Sequence, residues 1–368
     1  MNYKKGTTIF FLLICLHLAS FGQLYDFSNV TRLPDEINVK SELSKPYIMP
    51  DNQVMFFVNT VPDKGQEIWW CVRDGKKWQP AAKFESTINQ AKNNFMIGAS
   101  YDNARMYIMN MVSDRRSGGF ELFEVGNNDG IWSSPKPSPL PSLDLSGSYF
   151  DAMITSDENY MLFSMENEFS YGKEDLYVSI KQLNGSWSAP MNLGSDINTE
   201  FSEISPFLTD DGRTLFFATN GKGYGNYDIY MSKRIDNSWT HWTTPVNLGD
   251  KINSAGFDAY LMVSNDNEAF FISNRGGANS EIYTALFEIK PVFINTTPLA
   301  SNPTEAKLMK AERLLNNVDS LQRSGAKNPK NFIRGTKKLI YIPGEKRYKY
   351  VNIPGDKNYI ENVKPVKQ

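Results

Sequence analysis

The side chains best placed to do chemistry in this sequence are carboxylates. Glu42, Asp151, Glu203 and Asp258 each stand near the start of a strand-like run. Gathered round one opening, four such groups would hold a cation or a basic ligand; a pair in unlike environments could serve as acid and base on a glycosidic bond. The same residues also suit solvated turns, because two like charges ~10 Å apart in water repel by only about 0.4 kcal/mol. Beyond residue 22 the chain has one cysteine, Cys71, and one histidine, His241. That excludes an internal disulfide and a Cys/His zinc cluster. No metal site is therefore expected, although a carboxylate-only Ca²⁺ site stays open, and no cofactor is implied. Cys71 follows Trp69 and Trp70 in an apolar run and reads as a buried core thiol. His241, between Trp239 and Trp242, has no evident Ser or Asp relay. Tyr224 and Tyr227, at the glycine-rich loop 221–225, suit a contact with a partner.

The elements that must position these residues come from a repeat of roughly 54 residues. Trp132 with Pro135, Trp187 with Pro190 and Trp242 with Pro245 stand 55 residues apart, and Trp78 with Pro80 is a looser copy. An apolar strand core recurs as Met55-Phe56-Phe57, Met106-Tyr107-Ile108, Met161-Leu162-Phe163, Leu215-Phe216-Phe217 and Ala269-Phe270-Phe271. A third column follows it, led by Glu67, Glu121, Asp175, Asp228 and Glu281, which are expected to fix the turn into the next strand. The runs are short, aromatic and β-branched, and bounded by turn residues such as Asp51-Asn52, Asp211-Gly212 and Gly276-Gly277.

Units of this length and content predict an all-β, five-bladed β-propeller over residues 23–295, with six blades as the alternative. The last unit, Phe257 to Phe287, offers three strands and no Trp-x-x-Pro. Val30-Thr31-Arg32-Leu33 followed by Glu36-Ile37-Asn38 partly copies Pro245-Val246-Asn247-Leu248 followed by Lys251-Ile252-Asn253, so an N-terminal strand is expected to complete that unit. In such a ring the first strand of each blade lines the central channel, which would put the four carboxylates at its mouth. Their alignment is off by one residue between repeats.

The run from Ser205-Pro206-Phe207 through Thr209-Asp210-Asp211-Gly212-Arg213-Thr214 to Tyr227-Asp228-Ile229-Tyr230 resembles the WD40-like (PD40) repeat of TolB-type propellers. Asn192-Leu193-Gly194 with Ile197-Asn198-Thr199-Glu200, and Ser273-Asn274-Arg275-Gly276-Gly277, resemble the variety found in envelope proteins that carry an OmpA-like domain. The resemblance covers about residues 30–290 and implies a propeller that binds envelope proteins. Within these 368 residues neither an OmpA-like segment nor a hydrolase segment with G-x-S-x-G follows it. Five-bladed propellers also include glycosidases, the enzymatic alternative; the like placement of the four acids argues against the unlike pKa values that acid and base need.

Lys4 and Lys5, the apolar run Thr8 to Leu18 and the small residues Ala19, Ser20 and Gly22 predict a signal peptide over residues 1–22. Leu13 and Ile14 are bulky where a lipid-attachment signal before Cys15 would take small residues, so a soluble exported chain is expected, periplasmic or associated with the outer membrane, with an extracellular place as the alternative. Residues 23–302 hold 22 Lys and Arg against 35 Asp and Glu, whereas 303–368 hold 15 against 6. The acidic body repels nucleic acid. The basic extension, residues 296–368, is expected to carry a helix over about 303–322 and either to dock on the body or to touch an anionic surface. The expected function is non-catalytic: a protein-binding or scaffolding propeller of the cell envelope, with a carbohydrate-binding or glycan-cleaving propeller as the alternative.

Overall fold

Runs in which apolar and polar side chains alternate form strands, and a sheet covered on both faces buries nearly every residue of its central strands. Phe56, Phe163, Phe216 and Phe270 in the second strands are accordingly fully buried. A computed structural model describes residues 23–39, 41–84, 87–89, 91, 93–111, 119–128, 130–291, 337–342 and 347–352. The expected signal peptide and the expected helix at 303–322 lie outside the described residues. By internal contacts the chain divides into two units, one of Met1–Tyr25 with Ile289–Pro329, the other of Asp26–Glu288 with Lys330–Gln368.

Within Asp26–Glu288 the strands form five antiparallel sheets in chain order. The first comprises Glu42–Ile48, Val54–Val61 and Gly65–Asp74, edged by the short pieces Lys77–Trp78 and Ala82–Lys83. The second comprises Asn93–Ala99, Arg105–Met111 and Phe120–Asn128, edged by Ile131–Trp132 and Lys136–Ser138. A single parallel bridge, Gln66 to Asn93, ties these two together. The third runs Phe150–Ile154, Tyr160–Met165, Asp175–Ile180, Met191–Asn192, and the fourth Glu203–Leu208, Thr214–Thr219, Asp228–Lys233, Val246–Asn247. The fifth takes Asp258–Val263, Glu268–Ser273 and Glu281–Pro291, and its fourth strand is the N-terminal Gln23–Arg32. The vacancy read in the last repeat is filled as expected.

First strands touch in cyclic order, 42–48 to 93–99, then 150–154, 203–208, 258–263 and back to 42–48. This is a propeller: the sheets pack face to face around an axis lined by their first strands. Each repeated Trp enters the core shared with the preceding sheet. Trp78 meets Phe270 edge-on at 6.1 Å, Trp132 meets Phe56 at 5.9 Å, and Trp239 beside Trp242 meets Tyr160 at 4.9 Å. A buried Phe contributes about 1.5–3 kcal/mol, so these inter-sheet aromatics supply a core that one sheet could not close.

A repeated asparagine clamps the units. The Asn198 side chain donates to Leu176 O at 3.0 Å and accepts from Leu176 N at 2.8 Å. Asn253 does the same to Ile229, Asn89 to Ile68, and Asn38 to Ile282. In the last case the clamp joins the ends of the ring, beside the Arg32–Glu281 ion pair at 2.6 Å. Strands Lys337–Ile342 and Arg347–Asn352 pair antiparallel as a separate two-stranded sheet. Among the described residues no helix is long and apolar enough to cross a membrane.

Candidate functional site

Strand register explains the one-residue offset among the four carboxylates. Counting from the equivalent Phe57, Phe163, Phe217 and Phe271, Glu203 and Asp258 face the residue two further on, Thr219 and Ser273. Glu42 faces Thr60, one position further out, and Asp151 faces Ser164, one position further in. The third sheet has no bulge in its first strand, whereas the first, fourth and fifth each carry one. The four residues therefore do not form a ring of like groups.

Their partners differ accordingly. Exposed Glu42 accepts from Ser280 N at 3.0 Å. Glu203 is fully buried and takes Thr199 N at 2.9 Å, Thr199 Oγ1 at 2.6 Å and Thr219 Oγ1 at 3.0 Å. Burial pushes its pKa up while these hydrogen bonds pull it down. Asp258, also fully buried, takes Ser254 N at 2.6 Å and Ser254 Oγ at 2.7 Å, and pairs with Arg275 at 3.0 Å. Only Asp151 reaches the axis.

There all five first strands meet round a cavity of about 50 Å³, lined among others by Lys45, Ile97, Asp151, Ser205 and Tyr260. Asp151 is the one carboxylate and Lys45 the one cation of its fourteen lining residues. They form an ion pair with side chains 5% and 13% exposed. Lys45 Nζ also donates to Ala152 O at 3.2 Å and lies 4.7 Å from the Phe95 ring centre and 5.9 Å from that of Tyr260. Tyr149 and Tyr260 share a hydrogen bond at 3.0 Å. The lining of this axis thus consists mainly of apolar and aromatic groups with one neutralised charge pair.

The bulges aim these side chains. Lys45, Ser205 and Tyr260 have φ of 52°, 51° and 57°, the left-handed region that side chains other than glycine seldom adopt. All three line the cavity. Each such residue costs about 1–3 kcal/mol unless its surroundings hold it, and here Tyr260 N donates to Ser205 Oγ at 3.1 Å across two sheets.

Burial pulls the Lys45 ammonium down to about 7 from 10.5, against the attraction of Asp151. Between those values an unfolded chain holds the Lys45 proton more firmly than the folded one, so folding stability should rise with pH across that window. The slope from this one group is at most about 1.4 kcal/mol per pH unit. Urea unfolding at pH 7, 8, 9 and 10 should show a wild-type curve steeper than that of Lys45→Met; parallel curves would contradict it.

A different set of residues occupies the end where each second strand turns into the third. Asp175 accepts from Tyr171 N at 2.9 Å and Asn192 Nδ2 at 2.7 Å, and Asp228 accepts from Tyr224 N at 2.5 Å and Asn247 Nδ2 at 2.9 Å. These carboxylates hold two equivalent loops, Tyr-Gly-x-x-Asp in each. A Cβ on Gly172 or Gly225 would collide with the carbonyls of the next connection, Phe201 O and Gly256 O. Each loop thus displays a tyrosine, Tyr171 at 57% and Tyr224 at 55% exposure, with Phe169 at 72% beside the first. Phe201, 38% exposed, has its ring 3.1 Å from a Cβ built on Gly221. Of the two tyrosines expected at this loop, Tyr224 is presented to solvent, whereas Tyr227 is half-buried with its ring 5.5 Å from Phe257. Phe169, Tyr171 and Phe201 were not singled out in the sequence; the repeated Tyr-Gly-x-x-Asp was the available signal for Tyr171.

His241 differs from expectation. Its Nδ1 lies 2.8 Å from Asp236 Oδ2, on the far side of a turn, and this raises the imidazole pKa and holds Asp236 at about 2. Both side chains are exposed and stand five residues apart in sequence, so the pair is a turn contact. Cys71 is buried, and burial pushes its thiol pKa up, which keeps it protonated. Among the described residues no group of three Asp, Glu, His or Cys could hold a metal ion.

No protein-family model matches the chain, and no curated protein matches it. Solved structures similar to it include an α-L-arabinofuranosidase from Lactobacillus brevis, at 12% identity and TM-score 0.43, covering 74% of this chain and 98% of that one. A protein assigned as TolB from Agrobacterium tumefaciens follows at 14% and 0.39, covering 68% and 91%. A thermostable family-43 glycoside hydrolase gives 13% and 0.44, covering 71% and 95%. Likeness of this degree names neither family nor activity.

Proposed function

We propose that this chain is a non-catalytic propeller of the cell envelope that holds another protein at the end bearing Phe169, Tyr171, Phe201 and Tyr224. The observation that carries this reading is the axial cavity. Cleaving a glycosidic bond calls for two carboxylates ~5–9.5 Å apart with room for sugar and water. The cavity supplies one carboxylate, Asp151, already paired with Lys45. The loop end offers what a protein contact uses instead: several exposed aromatics on backbone that buried carboxylates hold in place. Export is supported by Lys4, Lys5 and the apolar run Thr8 to Leu18.

A photoreactive amino acid placed at Tyr224 in growing cells should give a protein adduct in the envelope fraction. One placed at exposed Ile235, in the turn after the third strand of the same sheet and hence at its other end, should give none. Equal labelling from both, or turnover of arabinan or xylan by the purified chain, would refute the reading.

A further inference from the structure

The partner's chemistry can be narrowed, on the reading just proposed. Segments 166–174, 198–202 and 220–227 carry Glu166, Glu168, Glu174 and Glu200 against Lys173 and Lys222. Among the described residues none of these six is in an ion pair, and Glu168, Glu200, Lys173 and Lys222 are exposed. The exposed charges balance, so half-buried Glu166 and buried Glu174 supply the excess of carboxylates, within a body that is itself acidic, with 22 Lys and Arg against 35 Asp and Glu over residues 23–302.

We propose that the paired tyrosine loops dock an arginine-rich extended segment of a partner protein. Two features converge. Tyr171 and Tyr224 are equivalent residues of adjacent sheets, so they repeat one ring at one blade's rotation, as a segment crossing the blade boundary would meet it. An electron-rich ring face attracts a guanidinium, more so when water is displaced, and a carboxylate takes the same group in a two-pronged hydrogen bond. Glu168 is adjacent to Phe169, and Glu200 to Phe201, so the two phenylalanines of the surface are each accompanied by an acceptor. The loops need little ordering on binding, because Asp175 and Asp228 already hold them.

The test uses the full chain and fluorescein-labelled hexa-arginine, read by anisotropy at fixed 150 mM salt. Tyr171→Ala/Tyr224→Ala leaves every charge in place and should weaken binding by about tenfold; Glu168→Gln/Glu200→Gln, on exposed side chains, should weaken it by a similar factor. Asp236→Asn, in an exposed turn of another loop set, should leave it unchanged. Failure of hexa-arginine to bind, or equal affinity for wild type and the tyrosine variant, would overturn the inference, since general charge attraction needs no ring. Binding of xylohexaose that the tyrosine variant loses would overturn it in favour of a sugar platform. Near-ultraviolet circular dichroism checks that each variant is folded. If hexa-arginine fails while Tyr224 still crosslinks a protein in cells, the basic partner alone falls and the binding role stands.

Discussion

Replacing Lys45 by methionine is expected to destabilise the chain by about 3–5 kcal/mol, the usual cost of leaving one member of a buried ion pair alone. Asp151, 4% exposed overall, would keep one hydrogen bond, from Ala152 N at 2.8 Å, and lose its counter-charge. Asp151→Asn should cost less, because the Lys45 ammonium, already pulled down to about 7 by burial, gives up its proton once the carboxylate is gone rather than stay charged between the Phe95 and Tyr260 rings. The double variant Lys45→Met/Asp151→Leu should recover most of the loss, because desolvating two charges is itself expensive and apolar groups of like volume fill such sites well. Urea midpoints at pH 7 for the wild type, Lys45→Met, Asp151→Leu and Lys45→Met/Asp151→Leu measure the coupling directly. Single variants within about 0.5 kcal/mol of wild type would mean that the pair contributes nothing to holding the axis.

The second large effect is expected at the ring's closure. Asn38→Ala removes bonds to Leu33 O at 2.8 Å, Ile282 O at 3.1 Å and Ile282 N at 2.8 Å, all in a buried setting. A buried polar group left without a partner costs about 1–3 kcal/mol, so a loss of ~2–4 kcal/mol follows. Asn253→Ala strips the same kind of clamp from Ile229, but within one pair of neighbouring segments. The two should differ in where the damage appears. Hydrogen exchange in Asn38→Ala should quicken over Glu281–Glu288 and over 26–33, the pair of strands that closes the ring; in Asn253→Ala it should quicken near 228–233. Protection at 281–288 unchanged in Asn38→Ala would show that closure rests on strand pairing and the Phe27–Phe287 contact instead.

How far the sequence carried this can be judged from particular residues. Strands and their repetition were legible because alternation and aromatic columns are local, and each column marks a core that any neighbouring copy can share. The strand at 23–32 was placed in the fifth sheet from the partial copy of Pro245 to Asn253 in residues 30–38, and the clamp of Asn38 on Ile282 gives that copy its physical sense. Asp175 and Asp228 were expected to fix turns, and their hydrogen bonds run to the loop backbone.

What only the tertiary structure decided concerns contacts between distant repeats. No local pattern says that Lys45 reaches Asp151, or that Glu203 and Asp258 turn to their own connections while Asp151 turns to the axis. That choice depends on bulges in four of the five first strands and the lack of one in the third sheet, and a shift of one residue sends a side chain to the opposite face. The same holds for Phe169, Tyr171, Phe201 and Tyr224, which become one surface only when consecutive sheets stack. Periodicity within a unit is a property of the chain alone, and it determined the propeller; which charge meets which at the axis is a property of packing, and only the closed ring supplies it.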